Sequence, residues 1–348
     1  MTVPIVHHPD YVAPLPDGHR FPMNKYGLLM ARVDELGLAN GAVYEPVEAP
    51  RGWLETVHDP GYVSAVCEQR LGEAETRRIG FPVTARVARR SRLSVAGTVM
   101  AGRLALEHGL ACQTAGGSHH AHAGFGSGFC VFNDVAVAAA VLRAEGLVRR
   151  ILVVDLDVHQ GDGTAAIFAD DPSVFTLSVH CAANFPARKQ IGDVDVGLAG
   201  GTDDDAYLAT LDAHLPAALA GHRPDLVFYN AGVDPHEADK LGRLALTEAG
   251  IRRRDRRVLE LCHGQGIPVA TVVGGGYGDD KDRLARLHGL VVEEAAALLG
   301  GSASTPVVMP AKAGIQAADV SDTPFASAPV GATEPLDARL RGHDDKEG

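Results

Sequence analysis

The segment Asp155-Leu156-Asp157-Val158-His159 places two carboxylates and an imidazole at alternate positions after a predicted apolar strand. Alternate residues of a strand project to one face, so we expect these three side chains to lie together. Buried carboxylates need a compensating cation. A third carboxylate, that of Asp234, follows another predicted strand. An Asp/His/Asp set with an open fourth position is typical of catalytic zinc. The alternative is helix capping, which accounts for Asp157 alone but not for all the carboxylates together.

The segment Gly116-Gly117-Ser118-His119-His120 provides adjacent histidines after two glycines. A histidine oriented by a carboxylate can act as a general acid or base, because the carboxylate sets its tautomer and basicity. The alternative is a pair of surface histidines in a loop. The segment Gly126-Ser127-Gly128-Phe129-Cys130 adds glycines and an aromatic ring that can wall a narrow channel.

The segment Gly274-Gly275-Gly276-Tyr277 places a tyrosine at the end of another predicted strand. A phenol at that position can donate a hydrogen bond to an oxyanion opposite a metal ion. The alternative is a glycine-rich phosphate loop. It is disfavoured because no Lys or Ser/Thr follows at the P-loop spacing, and no strand–GxGxxG–helix unit is present.

The elements that must position these residues alternate between strand and helix along the chain. Short apolar runs predict buried parallel strands at 150–155, 174–179, 226–230 and 268–273. Helical periodicity predicts helices at 25–36, 84–108, 134–145, 205–219, 247–264 and 281–299. This succession indicates a single-domain α/β fold, a doubly wound and mainly parallel sheet with helices on both faces. Ligand sites in such sheets lie beyond the carboxyl ends of the strands, where the polar segments converge.

Length and composition limit the classes of function. The 348 residues suffice for one large domain, which we place at 1–300, and the net charge of −12 argues against binding to nucleic acid. Five scattered cysteines without a CxxC pair fit a reducing cytoplasm. No signal peptide or membrane span is expected. Residues 301–348, rich in Ala, Ser, Thr, Pro and Asp, predict a disordered tail. Oligomeric state stays open.

Five motifs together resemble the histone deacetylase and acetoin-utilisation deacetylase family. They are, in the family's order, GGSHHAHAGFGSGFCVFND, VVDLDVHQGDGT, SVHCAANFP, NAGVDPHEADKLG and VVGGGYG. The resemblance extends from Ile5 to about Leu299 and is similar in detail to a class IV-related bacterial branch. It implies the arginase/deacetylase-like fold and one zinc ion per chain.

The resemblance also implies roles for single residues. The implied zinc ligands are Asp157, His159 and Asp234. The implied catalytic histidines and their supporting carboxylates are His119 with Asp155 and His120 with Asp162. Tyr277 would polarise the scissile carbonyl, and the acyl-lysine tunnel would be lined by Gly128, Phe129 and Phe185. A structural potassium ion would contact Asp155, Asp157, the carbonyl of His159, Ser178 and Val179.

The predicted activity is zinc-dependent hydrolysis of an amide, removing an acetyl or other acyl group from a lysine peptide or a small amine. The alternatives are an acetylpolyamine amidohydrolase, an arginase-like ureohydrolase with two manganese ions, and a non-catalytic acyl-lysine binding module. Gln160 departs from the second histidine of the class I branch, and no rim aspartate is found at 81–90. Arg188 and Lys189 are expected to be solvated charges at the rim, and the arginine run at 252–257 is expected to be a solvated helix face.

Overall fold

The central strands of the protein are short and apolar because both of their faces are covered. In the computed structural model, which describes residues 2–39 and 42–301, every residue of the strands Leu110–Gln113, Ile151–Asp155, Leu226–Asn230 and Val269–Val272 is buried. Near-continuous apolar strands of this kind are characteristic of parallel sheets with helices packed on them.

Eight strands in the described residues form one sheet, and all of the pairings are parallel. The strands are β1 (Ile5–Val6), β2 (Val43–Tyr44), β3 (Leu110–Gln113), β4 (Ile151–Asp155), β5 (Val174–Cys181), β6 (Val194–Leu198), β7 (Leu226–Asn230) and β8 (Val269–Val272). Their order across the sheet is β2-β1-β3-β8-β7-β4-β5-β6. The predicted doubly wound α/β fold is therefore confirmed, with a sheet that is entirely parallel rather than mainly so.

Ten α-helices connect or flank the strands in this part of the chain. They are α1 (Lys25–Glu35), α2 (Arg51–Leu54), α3 (Pro60–Cys67), α4 (Glu73–Ile79), α5 (Ala85–His108), α6 (Asp134–Ala144), α7 (Asp162–Phe168), α8 (Asp204–His222), α9 (Glu248–His263) and α10 (Lys281–Gly301). All six predicted helices are present with small shifts at their ends. The predicted strands are present too, whereas β1, β2, β3 and β6 were not predicted.

The long helix α5 shows how local sequence sets the limits of an element. Its first turn is capped by Thr84, whose side chain accepts a hydrogen bond from the backbone N–H of Val87. It ends at Gly109, where φ is +85°, a conformation that glycine adopts without strain. Gly102 lets α5 approach α6 closely, because a Cβ there would lie 2.6 Å from Cδ1 of Leu142.

Four neighbouring strands, β3, β8, β7 and β4, end at the same edge of the sheet. The chain segments that leave this edge carry the polar motifs identified in the sequence: residues 116–120 follow β3, 156–162 follow β4, 231–236 follow β7 and 274–277 follow β8. The parallel arrangement therefore brings four distant segments to one place.

No helix within the described residues is both long and apolar enough to cross a membrane. The predicted tail lies, apart from Gly301 at the end of α10, outside the described residues.

Candidate active site

Three buried side chains meet beyond the ends of β4 and β7. Nδ1 of His159 lies 3.0 Å from Oδ1 of Asp157 and 3.0 Å from Oδ2 of Asp234. Potential ligand atoms of the three residues lie within 4.8 Å of one another, a spacing that one metal ion can bridge. Within residues 2–39 and 42–301 this is the one group of its kind.

The prediction that strand alternation brings Asp155, Asp157 and His159 to one face was wrong. Strand β4 ends at Asp155, and residues 157–159 form a bend. Asp155 consequently bonds to His119 instead of joining the group, and Asp234 supplies the second carboxylate. After Asp155 the backbone is no longer paired in the sheet, so it can turn the side chains of Asp157 and His159 toward the segment after β7.

Backbone N–H groups hold the two carboxylates in place. Asp157 accepts hydrogen bonds from Gly275 at 2.6 Å and from the backbone of His159 at 3.0 Å. Asp234 accepts one from Val158 at 2.8 Å. A Cβ at Gly275 would lie 2.1 Å from Oδ2 of Asp234, so this position admits only glycine. Each carboxylate thus keeps an oxygen directed at His159.

The electrostatics of this group favour a bound cation. Burial, together with the charge of Asp157, raises the pKa of Asp234 to about 7. Burial disfavours the charged form of His159, but its hydrogen bonds to Asp157 and Asp234 outweigh burial and raise its pKa to about 10. The site therefore needs positive charge, because it buries two carboxylates and because its histidine binds a proton so strongly. The two oxygen ligands and one nitrogen ligand fit a divalent metal ion.

The tandem histidines are each held by a different carboxylate, as the resemblance implied. Nδ1 of His119 lies 2.6 Å from Oδ2 of Asp155, and Nδ1 of His120 lies 2.6 Å from Oδ1 of Asp162. The rings stack at a tilt with centroids 4.1 Å apart, and all four residues are buried. Both rings line a cavity that also contains Asp157 and Tyr277.

The pKa values of the two histidines are shifted in opposite directions. Burial opposes protonation of His119, yet Asp155 and Asp157 raise its pKa to about 9. Burial and the adjacent His119 lower the pKa of His120 to about 4. These shifts favour the protonated form of His119 and the neutral form of His120, and a neutral imidazole is the form that can accept a proton.

Tyr277 borders the same cavity, and its ring centroid is 6.2 Å from that of His159. Its backbone N–H donates to Oδ2 of Asp239 at 2.6 Å, which sets the position of the residue. Burial and the nearby Asp157 raise the pKa of the Tyr277 phenol well above its usual value. The raised pKa keeps the hydroxyl protonated, so that it can donate a hydrogen bond.

The predicted lining residues lie near His120 or near Tyr277. Phe185 meets the ring of His120 edge-on at 4.8 Å and is 44% exposed, but it is not among the residues that line this cavity. Phe129 is buried and lies 5.9 Å from the ring of Tyr277. At Gly128, φ is +52° and a Cβ would lie 2.5 Å from the ring of His120, so a larger residue would displace that histidine.

Sequence reasoning missed several residues of this region. His122 donates to the second oxygen of Asp162 at 3.1 Å, and Asn230 donates to Asp155 at 3.0 Å. Lys25, at the start of α1, is buried and donates to the carbonyl of Gly274 at 2.7 Å. His122 falls inside a quoted motif, so its nearness to His120 was a usable signal. Lys25 is remote in sequence, and only the fold brings it here.

Two further expectations concern residues around the site. Ser178, of the predicted potassium set, pairs in register with Asp155 across β4 and β5, and its hydroxyl lies 2.9 Å from Nδ1 of His180. Lys189 is not a free charge at the rim: its Nζ donates to the carbonyls of Asn184 and Pro186 at 2.6 Å each. Lys189 therefore braces the loop that carries Phe185.

The chain is similar to several known proteins. The histone deacetylase domain family matches residues 19–294. An uncharacterized protein of Picosynechococcus is 53% identical over 292 residues, covering 84% of this chain and 97% of that protein. Histone deacetylase 2 of Arabidopsis thaliana is 34% identical over 270 residues, covering 74% and 70% respectively. The crystal structure of the HDA15 HD domain shares the fold, with a TM-score of 0.71, 24% identity and coverage of 88% and 90%.

Proposed function

The chain belongs to the histone deacetylase family, and from this premise we propose that it is a zinc-dependent hydrolase that removes acyl groups from lysine side chains or related amines. The observation that carries the proposal is the cavity lined by Asp157, His119, His120 and Tyr277. A proposed metal ligand, an imidazole that can accept a proton and a phenol donor border one space there, and metal-assisted amide hydrolysis can use all three groups.

We assign the metal ligands as Asp157, His159 and Asp234. Their mixed oxygen and nitrogen donors and the compact spacing of the group fit zinc with its fourth position open to water or substrate. Zinc, when bound, supplies Lewis-acid polarisation of the acyl carbonyl and lowers the pKa of the attacking water.

The chain's own residues would handle the proton transfers. His120, whose Nδ1 is held by Asp162, accepts the proton of the attacking water at Nε2. Tyr277 donates a hydrogen bond to the carbonyl oxygen as negative charge develops on it. His120 then returns the proton to the nitrogen of the departing amine. His119, whose pKa the neighbouring Asp155 raises, is better suited to contributing positive charge than to accepting a proton.

The lining residues support an acylated amine as substrate. Phe185 beside His120 and Phe129 beside Tyr277 would contact the aliphatic stem, while Gly128 leaves room beside the histidine. Acetyl-lysine in a peptide and an acetylated polyamine both present an amide at the end of such a stem. The potassium set of Asp155, Asp157, His159, Ser178 and Val179 would stabilise the ends of β4 and β5. The free state of all five cysteines supports a cytoplasmic location.

Two other functions are less well supported. An arginase-like ureohydrolase needs a second metal with additional bridging carboxylates, whereas Asp155 is engaged by His119 and Asn230. A binding module that does not catalyse has no use for two histidine–carboxylate pairs and a phenol. Metal analysis distinguishes the ureohydrolase, which would hold two manganese ions per chain, from the proposed enzyme, which would hold one zinc. Acetate release distinguishes the proposed enzyme from a binding module.

The experiment that tests the proposal is a deacylation screen of the purified, zinc-loaded protein. The substrates are acetyl-, butyryl- and longer acyl-lysine peptides and acetylated polyamines, with released acid as the readout. We expect turnover of at least one class and its loss after the metal is removed with a chelator. No acid release from any of these substrates by a protein carrying one zinc per chain would contradict the proposal.

A further inference from the structure

The arginine run on α9 contains one member that is not a surface charge. Arg254 is 0% exposed, so the expectation of a solvated helix face is wrong for this residue. The other four pair with acidic residues: Arg252 with Glu293 and Glu294, Arg253 with Asp205, Arg256 with Glu294, and Arg257 with Asp212. A fully buried arginine is costly to desolvate, so its contacts need an explanation.

The guanidinium of Arg254 joins the two segments that carry the proposed metal ligands. Its Nη1 donates to the carbonyl of Gly232 at 2.6 Å and to that of Leu156 at 3.2 Å. Leu156 directly precedes Asp157, and Gly232 lies two residues before Asp234. One nitrogen therefore spans the bends that follow β4 and β7.

The rest of the guanidinium is held rigidly on the opposite side. Its Nε and Nη2 donate to Oδ1 of Asp255 at 2.9 and 2.7 Å, and the same oxygen accepts from the hydroxyl of Tyr229 on β7. The planar fork of arginine donates to a carboxylate on one side and to two carbonyls on the other, whereas the three donors of a lysine radiate from a single nitrogen. The carbonyls of Leu156 and Gly232 lie beyond the ends of β4 and β7, where the sheet ladder no longer satisfies them.

We propose that Arg254 is a positioning residue that sets the distance between the Asp157–His159 bend and Asp234, and that the affinity for zinc depends on it. The inference rests on the proposed metal site. Arg254 touches neither metal nor substrate. It acts through the backbone on which the ligands are mounted, and such supporting contacts typically change metal affinity about 10–100-fold.

The test measures zinc affinity of the full-length protein by competition with a chromophoric chelator, and the absorption spectrum of the Co²⁺-substituted protein. The first variant is Arg254→Lys. Arg253→Lys is the matched control, because it makes the same change at the neighbouring position, where the side chain is 54% exposed. Leu259→Ala, a buried residue of the same helix, controls for loss of stability alone.

We expect Arg254→Lys to weaken zinc binding about 10–100-fold and to alter the Co²⁺ spectrum. Arg253→Lys should leave both unchanged, and Leu259→Ala should lower the thermal midpoint without changing the spectrum. Zinc affinity of Arg254→Lys equal to that of Leu259→Ala would overturn the inference.

A second variant covers the case in which Arg254→Lys does not fold. Arg254→Met combined with Asp255→Leu replaces both partners of the buried pair by apolar groups, an exchange that is often neutral for stability. The double variant still removes the Nη1 group that donates to both carbonyls, so we expect the same loss of zinc affinity. Wild-type affinity in this folded variant would refute the positioning role. A wild-type protein that binds no metal would refute the proposed function instead, so the two failures are distinguishable.

Discussion

The carboxylate of Asp162 is shared between His120 and His122, with one imidazole on each oxygen. The distances are 2.6 Å from Oδ1 to Nδ1 of His120 and 3.1 Å from Oδ2 to Nε2 of His122. Burial disfavours the ionised form of Asp162, but these hydrogen bonds hold its pKa below the ordinary value. Asp162 therefore remains a carboxylate and fixes the tautomer of His120 with a proton on Nδ1.

Replacement of His120 by Ala should lower kcat about 10²–10⁴-fold, because it removes the group that accepts and returns the proton. The measurement is steady-state turnover on the best substrate of the deacylation screen. His122→Gln is the matched control, because His122 contacts the same carboxylate but does not line the cavity. We expect a much smaller loss of kcat in this variant. Equal losses in the two variants would show that His120 acts only through Asp162.

The variant Tyr277→Phe should lower kcat about 10²–10³-fold, because it deletes one donor to the developing oxyanion and changes nothing else in the side chain. Zinc content and thermal midpoint should match those of the wild type. Turnover at the wild-type rate would exclude the assigned role of the phenol.

Asp234→Ala should abolish stoichiometric zinc, measured by elemental analysis of the purified protein, because it removes one of three proposed ligands. Asp239→Asn is the comparison. Asp239 accepts the N–H of Tyr277 and those of Leu241 and Gly242, yet it lies outside the ligand group. The Asp239→Asn variant should retain zinc but lose turnover, because Tyr277 is displaced. One zinc per chain in Asp234→Ala would remove this residue from the ligand set.

Acid should destabilise the protein through His58, which is 2% exposed and accepts the N–H of Asn133 at Nε2. Burial lowers its pKa from the ordinary 6.5 to about 4. The unfolded chain therefore binds a proton below pH 6.5 that the folded protein binds only near pH 4, so stability falls as pH decreases through this window. From pH 7 to 5 the loss is about 2 kcal/mol.

The measurement is urea unfolding of the wild type and of His58→Gln at pH 7 and pH 5. Glutamine can accept from Asn133 and donate to the carbonyl of His122, as His58 does, but it does not titrate. The variant should therefore lose about 2 kcal/mol less between the two pH values than the wild type. The same loss in both proteins would mean that His58 does not titrate as described.

Much of the fold and of the site could be predicted because the signals are local. The 3.6-residue periodicity of α5 and α9 and the apolar runs of β4 and β7 are properties of adjacent residues. The polar segments after β4 and β7 identified the neighbourhood of Asp157 and Asp234, since parallel strands end at a common edge. The two-residue strands β1 and β2 are too short to carry a period.

Tertiary structure decided which atoms meet. Strand alternation predicted that Asp155, Asp157 and His159 share one face, whereas β4 ends at Asp155, which contacts His119, and the bend that follows turns Asp157 and His159 toward Asp234. Arg254 belongs to a run of five arginines that look alike in sequence, and only the packing of α9 buries it against carbonyls 98 and 22 residues away. Periodicity records which face of an element is apolar; it does not record the partner across the interface. Contacts between distant segments depend on how whole elements pack, so the residues alone determined the chemistry available, and the fold determined its arrangement.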